Sequence, residues 1–242
     1  MTTQMIALVT GASKGIGREI ARQLGGLGYL VLVGARDLGR GEVVAKELVA
    51  EGIEAAAVRI DVTDPDSVAA AAGRIGTEYG RLDVLVNNAA IIADGDAAVS
   101  VVPAEALRRS FEVNVIGLVA TTAAMLPLLR AVGPARIVNL SSELASMERV
   151  GDPTSGLSTI LTTGYNASKA AVNMITVMLA NELRGEGILV NAADPGNCAT
   201  DMGGWDAPRT AAEGAAVAVR LATLAANGPT GELHAESGRL PW

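Results

Sequence analysis

Met5-Ile6-Ala7-Leu8-Val9-Thr10-Gly11-Ala12-Ser13-Lys14-Gly15-Ile16-Gly17 sets the architecture expected of this chain. The continuous apolar run over residues 5–10 fits a strand buried on both faces, because hydrophobic alternation is lost when neither face meets water. The glycine-rich turn after it lets the backbone bend sharply and approach a ligand closely. The helix opening near Ile16 then offers unpaired N–H groups to a pyrophosphate. Gly11, Ser13, Lys14, Gly15, Ile16 and Gly17 are therefore candidate cofactor contacts. Glycines at 11, 15 and 17 do not match the G-x-G-x-x-G spacing, and a glycine-rich turn alone is equally a plain loop. Its place between a first buried strand and a first helix is what favours phosphate binding.

The same strand-then-helix unit recurs along the chain. Buried strands are expected over residues 30–34, 54–60, 82–86, 137–140 and 188–192, with a short last one near 231–234. Helices are expected over 16–27, 39–51, 66–79, 103–130, 165–183 and 210–226, with Pro103 in the first-turn position that tolerates proline. Each parallel crossover needs a connecting helix. The alternation therefore predicts one α/β domain over residues 1–242, a Rossmann-type, doubly wound parallel sheet of about seven strands with helices on both faces.

Composition narrows the function classes. The 242 residues are 50% hydrophobic but only 2% aromatic, which suits helices packed closely on a Val- and Leu-rich sheet. A net charge of −7 speaks against nucleic acid or an anionic membrane as partner. The N-terminus lacks a basic leader, and no unbroken apolar run reaches about 18 residues, so a cytoplasmic protein is expected. One cysteine, Cys198, allows no intrachain disulfide and fits a reducing compartment. The single histidine, His234, cannot build a histidine metal cluster or a triad, and no grouping has zinc-ligand spacing.

The ends of the expected strands hold the polar residues. The second ends in Gly34-Ala35-Arg36-Asp37. An acidic residue at that point would bind a ribose 2′-hydroxyl, whereas arginine accommodates a 2′-phosphate. Arg36, helped by Lys14, favours NADP(H); the competing reading leaves Arg36 solvated and gives the ribose to Asp37. Asp61-Val62 would hold the adenine edge, Asn87 and Ala89 would line the ribose, and Asn88 is a further cofactor candidate.

Tyr165 and Lys169 are four residues apart, so on a helix they share one face. A cation about 4 Å from a phenol stabilises the phenolate by roughly 4 kcal/mol at an effective dielectric near 20, enough to bring a pKa of about 10 close to 7. Such a tyrosine exchanges protons with a substrate oxygen. Alone, the same spacing also describes an ordinary helix surface.

Taken together, T-G-A-S-K-G-I-G (10–17), D-V (61–62), N-N-A-A (87–90), N-V (114–115), V-N-L-S-S (138–142), Y-N-A-S-K (165–169) and P-G (195–196) resemble the short-chain dehydrogenase/reductase family. A-R-D-L-G-R-G (35–41) and N-N-A-A-I (87–91) look like its NADPH-dependent carbonyl reductase branch. The resemblance implies that Ser142 hydrogen-bonds a substrate carbonyl, Tyr165 protonates it as hydride arrives from the nicotinamide, and Lys169 lowers the Tyr165 pKa and holds the nicotinamide ribose. It implies that Asn114 keeps a relay water and that Pro195 and Gly196 meet the nicotinamide. Ser142 is chosen over Ser141 by family position alone. The product would be an alcohol made from a ketone or aldehyde. The rival readings are an NAD-dependent alcohol dehydrogenase of the same fold and a non-catalytic NADP(H)-binding regulatory protein.

Three departures from the family pattern stand out. Ala90 replaces the usual glycine, and Asp194 sits just before Pro195-Gly196. Ser142 and Tyr165 are 23 positions apart, about ten more than is common, so residues 146–162 carry an insertion. Relatives form dimers or tetramers through the helix pair at 103–130 and 163–183, while those with larger insertions are monomers, so both assemblies stay open. Glu143, Met147, Met202 and Trp205, flanking Ser142 or lying in the loop over 196–210, are candidate substrate contacts.

Overall fold

The computed structural model describes residues 4–242; residues 1–3, part of the N-terminal reading above, lie outside it. β1 (Ile6–Val9) is buried along its whole length, as its unbroken apolar run requires. Around it β2 (Leu30–Ala35), β3 (Ala55–Arg59), β4 (Val84–Asn87), β5 (Arg136–Leu140) and β6 (Leu189–Ala193) pair in parallel, in the spatial order β3-β2-β1-β4-β5-β6. The crossovers run through α1 (Gly15–Gly26), α2 (Leu38–Ala50), α3 (Pro65–Tyr79), α4 (Ala104–Phe111), α5 (Gly117–Arg130), α6 (Met147–Gly151) and α7 (Thr163–Leu183), and α8 (Ala211–Ala222) follows β6. The order reverses between β1 and β4, which opens a crevice at the carboxyl ends of the strands.

Successive strand residues feed opposite cores. Ala7, Val9, Val31, Val33, Val84 and Val86 pack with Ile20, Leu24, Leu48 and Leu221 of α1, α2 and α8. Leu8, Leu32, Leu85, Ile137 and Val190 pack with Ile75, Met125, Leu129 and Leu183 of α3, α5 and α7.

Two expectations need correction. The sheet has eight strands, not about seven. β7 (Leu233–Ala235) extends it in parallel, and β8 (Gly238–Leu240) turns back antiparallel to close the edge. Three residues are too few to display any period. The helix expected over 103–130 runs without a break from Ala104 to Arg130, but Glu112–Ile116 forms a π-helical turn within it, between α4 and α5. Gly117, where α5 begins, lies so close to Val62 that an added Cβ would meet it at 2.8 Å. By length and a mean hydropathy of 1.6, Ala104–Arg130 is apolar enough to cross a membrane. Its Met125 and Leu129, however, are fully buried in the core against the sheet.

A chain of buried amides and hydroxyls ties the sheet to two helices beneath the crevice. Asn87, register partner of Asn139, donates through Nδ2 to Thr122 Oγ1 and to Asn139 Oδ1, both at 2.9 Å. Asn139 Nδ2 donates to Thr176 Oγ1 at 2.9 Å, and Thr176 donates on to the Val172 carbonyl at 2.8 Å. Removing the middle of the chain orphans polar groups on both sides, at about 1–3 kcal/mol each. Asn139→Ala is accordingly expected to cost at least about 2 kcal/mol, read in urea as a lower midpoint at unchanged m value. An unchanged midpoint would show that the ladder contributes nothing.

Candidate active site

Parallel pairing brings the candidate residues to one edge. Thr10 follows β1, Arg36 follows β2, Asp61 lies two residues past β3, Asn88 follows β4, Ser142 lies two past β5 and Asp194 follows β6. The glycine-rich turn is a close-fitted cradle. Gly11 and Gly15 take positive φ (64° and 55°), and a Cβ on Gly17 would meet Asn88 Nδ2 at 2.5 Å and the Gly11 carbonyl at 2.6 Å. Lys14 is the N-cap residue of α1 and makes no side-chain cap, so no side chain occupies the first N–H groups of that helix. A phosphate fits such a terminus.

The amide of Asn88, a cofactor candidate, braces the turn. It donates to the Thr10 carbonyl at 2.8 Å and the Gly11 carbonyl at 3.2 Å, while the backbone N–H groups of Asn88 and Ala89 donate to Thr10 Oγ1. Asp61 uses Oδ1 to accept from the Thr63 N–H and hydroxyl, and Val62 packs under Gly117. Asp37 caps α2 by accepting the Arg40 N–H at 3.1 Å, whereas the exposed Arg36 pairs with no described residue. Lys14 reaches across to Asp201 at 2.5 Å, a pair exposed enough to be worth about 1 kcal/mol at most.

At the far end of the crevice, Ser141 and Ser142 part ways. Ser141 is buried and donates to Asn173 Oδ1 at 2.6 Å. Ser142 Oγ accepts the Leu144 N–H at 3.1 Å and lies within hydrogen-bonding reach of the Tyr165 phenol. Asn114, in the π-helical turn, grips both polar groups of the Ile91 backbone (2.8 and 2.9 Å) and donates to Ser168 Oγ at 3.0 Å. Pro195 leads into Gly196, at φ 70°, whose absent Cβ would meet Arg209 Cδ at 2.9 Å.

The four substrate candidates lie on the turn after β5, on α6 and in the 196–210 loop. Glu143 is paired with Arg149 at 2.9 Å. Met147 (77% exposed), Trp205 (76%) and Met202 (43%) stand out in solvent on α6 and the 196–210 loop.

A sequence model described as "short chain dehydrogenase" matches residues 5–211. The chain belongs to the short-chain dehydrogenase/reductase family. It is 38% identical over 227 residues to "Short-chain dehydrogenase anuI" of Penicillium roqueforti, covering 91% of this chain and 89% of that one. It is 33% identical over 279 aligned positions to "Carbonyl reductase [NADPH] 1" of Sus scrofa, covering 98% and 94%. The NADPH-bound carbonyl reductase from chicken fatty liver superposes with a TM-score of 0.87 at 27% identity, over 99% of this chain and all of the other. The protein is therefore an oxidoreductase of a nicotinamide-dependent family and is similar to its carbonyl reductases.

In this short-chain dehydrogenase/reductase the expected lowering of the Tyr165 pKa is not met. Although part of the residue remains accessible, the density of protein around the phenol pushes it up to about 12. The Asp194 carboxylate adds to that, and the hydrogen bond from Ser142 opposes it. Lys169 fails to counter because it is itself buried, 3% exposed, and burial lowers it to about 7. Its Nζ donates to the Leu140 carbonyl at 2.6 Å and sits 5.6 Å from the Tyr165 ring centroid. Desolvation of both groups outweighs their attraction.

The alternation of strands and helices also hid Asp96. Thr162, the N-cap of α7, makes no side-chain cap. Asp96, from the loop after β4, takes over, accepting the Gly164 N–H on Oδ1 and the Tyr165 N–H on Oδ2, both at 2.8 Å. Gly164 permits this approach, since a Cβ there would lie 2.9 Å from Ser110 Oγ and 3.2 Å from the Asp96 carboxylate. No local capping signature exists, because the cap comes from 68 residues away.

The depressed Lys169 has a consequence for stability. Between about pH 7 and the unfolded lysine value near 10.4 the unfolded chain binds the extra proton, so stability rises with pH across that window. The urea midpoint of the native protein is expected to climb from pH 7 to 9.5, and Lys169→Met is expected to flatten the climb. Parallel pH profiles for the two proteins would refute it.

Proposed function

We propose that the protein reduces a ketone or aldehyde with hydride from NADPH, with Tyr165 as general acid. The observation that carries this reading is the meeting of the Ser142 hydroxyl and the Tyr165 phenol, next to Lys169, at the carboxyl end of β5. NADPH, when bound, would supply the hydride. Gly11, Ser13, Gly15, Ile16 and Gly17 would hold its pyrophosphate at the α1 terminus, and Pro195-Gly196 would border its nicotinamide. Arg36 and Lys14 favour a 2′-phosphate: Arg36 has no described partner, and the adjacent acid, Asp37, is spent on capping α2. The pig relative's name and the NADPH-bound chicken structure support the same choice.

The chemistry follows from which protons are free. Ser142 Oγ receives the Leu144 N–H, so its own hydroxyl proton, turned to Tyr165 in this structure, would pass to a carbonyl oxygen that enters between the two groups. Tyr165, with its pKa near 12, stays protonated at every physiological pH and is loaded as a donor. Reduction builds negative charge on the carbonyl oxygen, and two positioned donors stabilise that charge in a site where water competes little. An alkoxide is a stronger base than a phenolate, so the Tyr165 proton moves to it downhill. Lys169, near 7, would release a proton toward Tyr165 afterwards or turn to the nicotinamide ribose. Asn114, its side chain committed to Ile91 and Ser168, would serve by fixing that corner rather than through a free amide. The exposed Met147, Met202 and Trp205 would offer an apolar wall to substrate, with the Glu143 charge balanced by Arg149.

Tyr165→Phe is expected to lower kcat for NADPH-dependent carbonyl reduction by about 10²–10⁴-fold while NADPH still binds, as judged by cofactor fluorescence. Wild-type turnover in that variant would end the general-acid assignment. Arg36→Ala is expected to weaken NADPH by roughly 10–100-fold in kcat/KM and leave NADH unchanged, as for a lost charge-assisted contact. Equal use of both cofactors before and after the change would show that Arg36 does not select the phosphate.

A further inference from the structure

Asp194 has no part in the reading above, yet it is one of the most enclosed carboxyl groups beside the site, 5% exposed. It follows β6 directly, and its backbone N–H donates to the His234 carbonyl of β7 at 2.8 Å, which pins its position. Its Oδ1 accepts the Gly196 N–H at 3.1 Å. The Glu143 backbone N–H, beside Ser142, also stabilises the carboxylate charge, and the Ser141 N–H donates to the Ala193 carbonyl at 2.8 Å, which sets the two loops side by side. One side chain thus joins the turn that borders the nicotinamide to the loop that carries the carbonyl-binding hydroxyl.

We propose that Asp194 is a positioning residue of the reductase site, clipping the Ser142–Glu143 loop to the Pro195–Gly196 turn and setting the negative charge that the Tyr165 hydroxyl faces. This rests on the reductase reading for its purpose but not for its geometry.

The charged and titratable groups around Asp194 come from every neighbouring element. The short turn after β5 supplies Glu143, α6 supplies Arg149, α7 supplies Tyr165, and the 196–210 loop supplies Cys198. β7 supplies His234, whose ring is turned to Glu232 at 3.0 Å. Among the described residues Arg149 is the one cation that acts on Asp194, and it is paired to Glu143 at 2.9 Å. Burial raises Asp194 itself above the usual carboxylate range, opposed by the two backbone N–H groups. The insertion gains a role here, because Arg149 lies within it and supplies the counter-charge that lets two carboxyl groups stand beside one catalytic loop.

The sign of the effect on Tyr165 is fixed. A carboxylate next to a phenol disfavours the phenolate, so removing the charge lowers the phenol's pKa. The test is ultraviolet titration of tyrosinate in the cofactor-free full chain, with Tyr165→Phe as the reference that subtracts Tyr29 and Tyr79. The Tyr165 component is expected above the ordinary value of about 10 in the native protein and to fall by on the order of one pH unit in Asp194→Asn. The alkaline limb of kcat for NADPH-dependent reduction should move the same way, with KM for NADPH within about twofold; a merely structural role would change amplitude without moving the limb. An unmoved Tyr165 titration in a folded Asp194→Asn overturns the proposal. If the Asp194 variants do not fold, the native protein decides, and a Tyr165 component at or below about 10 overturns it equally. Because the titration needs no substrate, a protein that shows the shift but reduces no carbonyl would sink the reductase reading and leave the Asp194 assignment standing.

Discussion

Seven strands running the same way are the constraint from which the site follows. Parallel pairing sends every loop that leaves a strand to one edge of the sheet, so residues as distant as Thr10, Ser142 and Asp194 become neighbours without any local signal linking them. The reversal of order between β1 and β4 then keeps two neighbouring crossovers from filling the same space, and the crevice is what remains. Shape is supplied by glycines where backbones approach: Gly17 against Asn88, and Gly164 against Asp96.

Within that crevice the electrostatics are governed by burial before they are governed by pairing. A tyrosine and a lysine one turn apart look on paper like an activated phenol. Here each is desolvated, and a buried ammonium is as reluctant to hold its charge as a buried phenol is to acquire one. Lys169 gives one of its donors to the Leu140 carbonyl, which holds the side chain in place. The pair therefore rests as a protonated phenol beside an amine near its titration midpoint. That arrangement favours giving a proton to a substrate over taking one from it.

The parallel sheet was legible because its signals are periodic and repeated. Continuous apolar strands, intervening amphipathic helices and a glycine-rich turn after β1 each restate the same topology. Ser142, Tyr165 and Lys169 came from motif order, and the structure adds a physical reason to separate Ser142 from Ser141: the latter's hydroxyl is consumed by Asn173. What stayed hidden has no period. β8 is three residues long, and the π-helical turn at Glu112–Ile116 changes hydrogen-bond pattern without changing composition. The Asp96 cap crosses 68 residues of sequence, and the brace that Asn88 makes on Thr10 and Gly11 crosses 78 and 77. The Tyr165 pKa was misjudged because spacing reports distance along a helix but not the loss of water around it.

Asp96 and Asp194 together show how a site built from loops is held still. Neither end of the Tyr165 region is ordered by its own segment: α7 lacks a local side-chain cap, and the Ser142–Glu143 loop leaves the sheet without a strand partner. Each meets a carboxylate from another loop: Asp96 accepts two backbone N–H groups of α7, while Asp194 accepts the Gly196 N–H of its own turn and is stabilised by that of Glu143. Asp96 does this only partly buried, at a helix N-terminus whose dipole favours the charge. Asp194 does it deep in the protein, where two N–H groups do not fully offset desolvation and its carboxyl is raised. One clip is thus electrostatically comfortable and the other is under tension, and the tense one is the one whose charge reaches the Tyr165 hydroxyl.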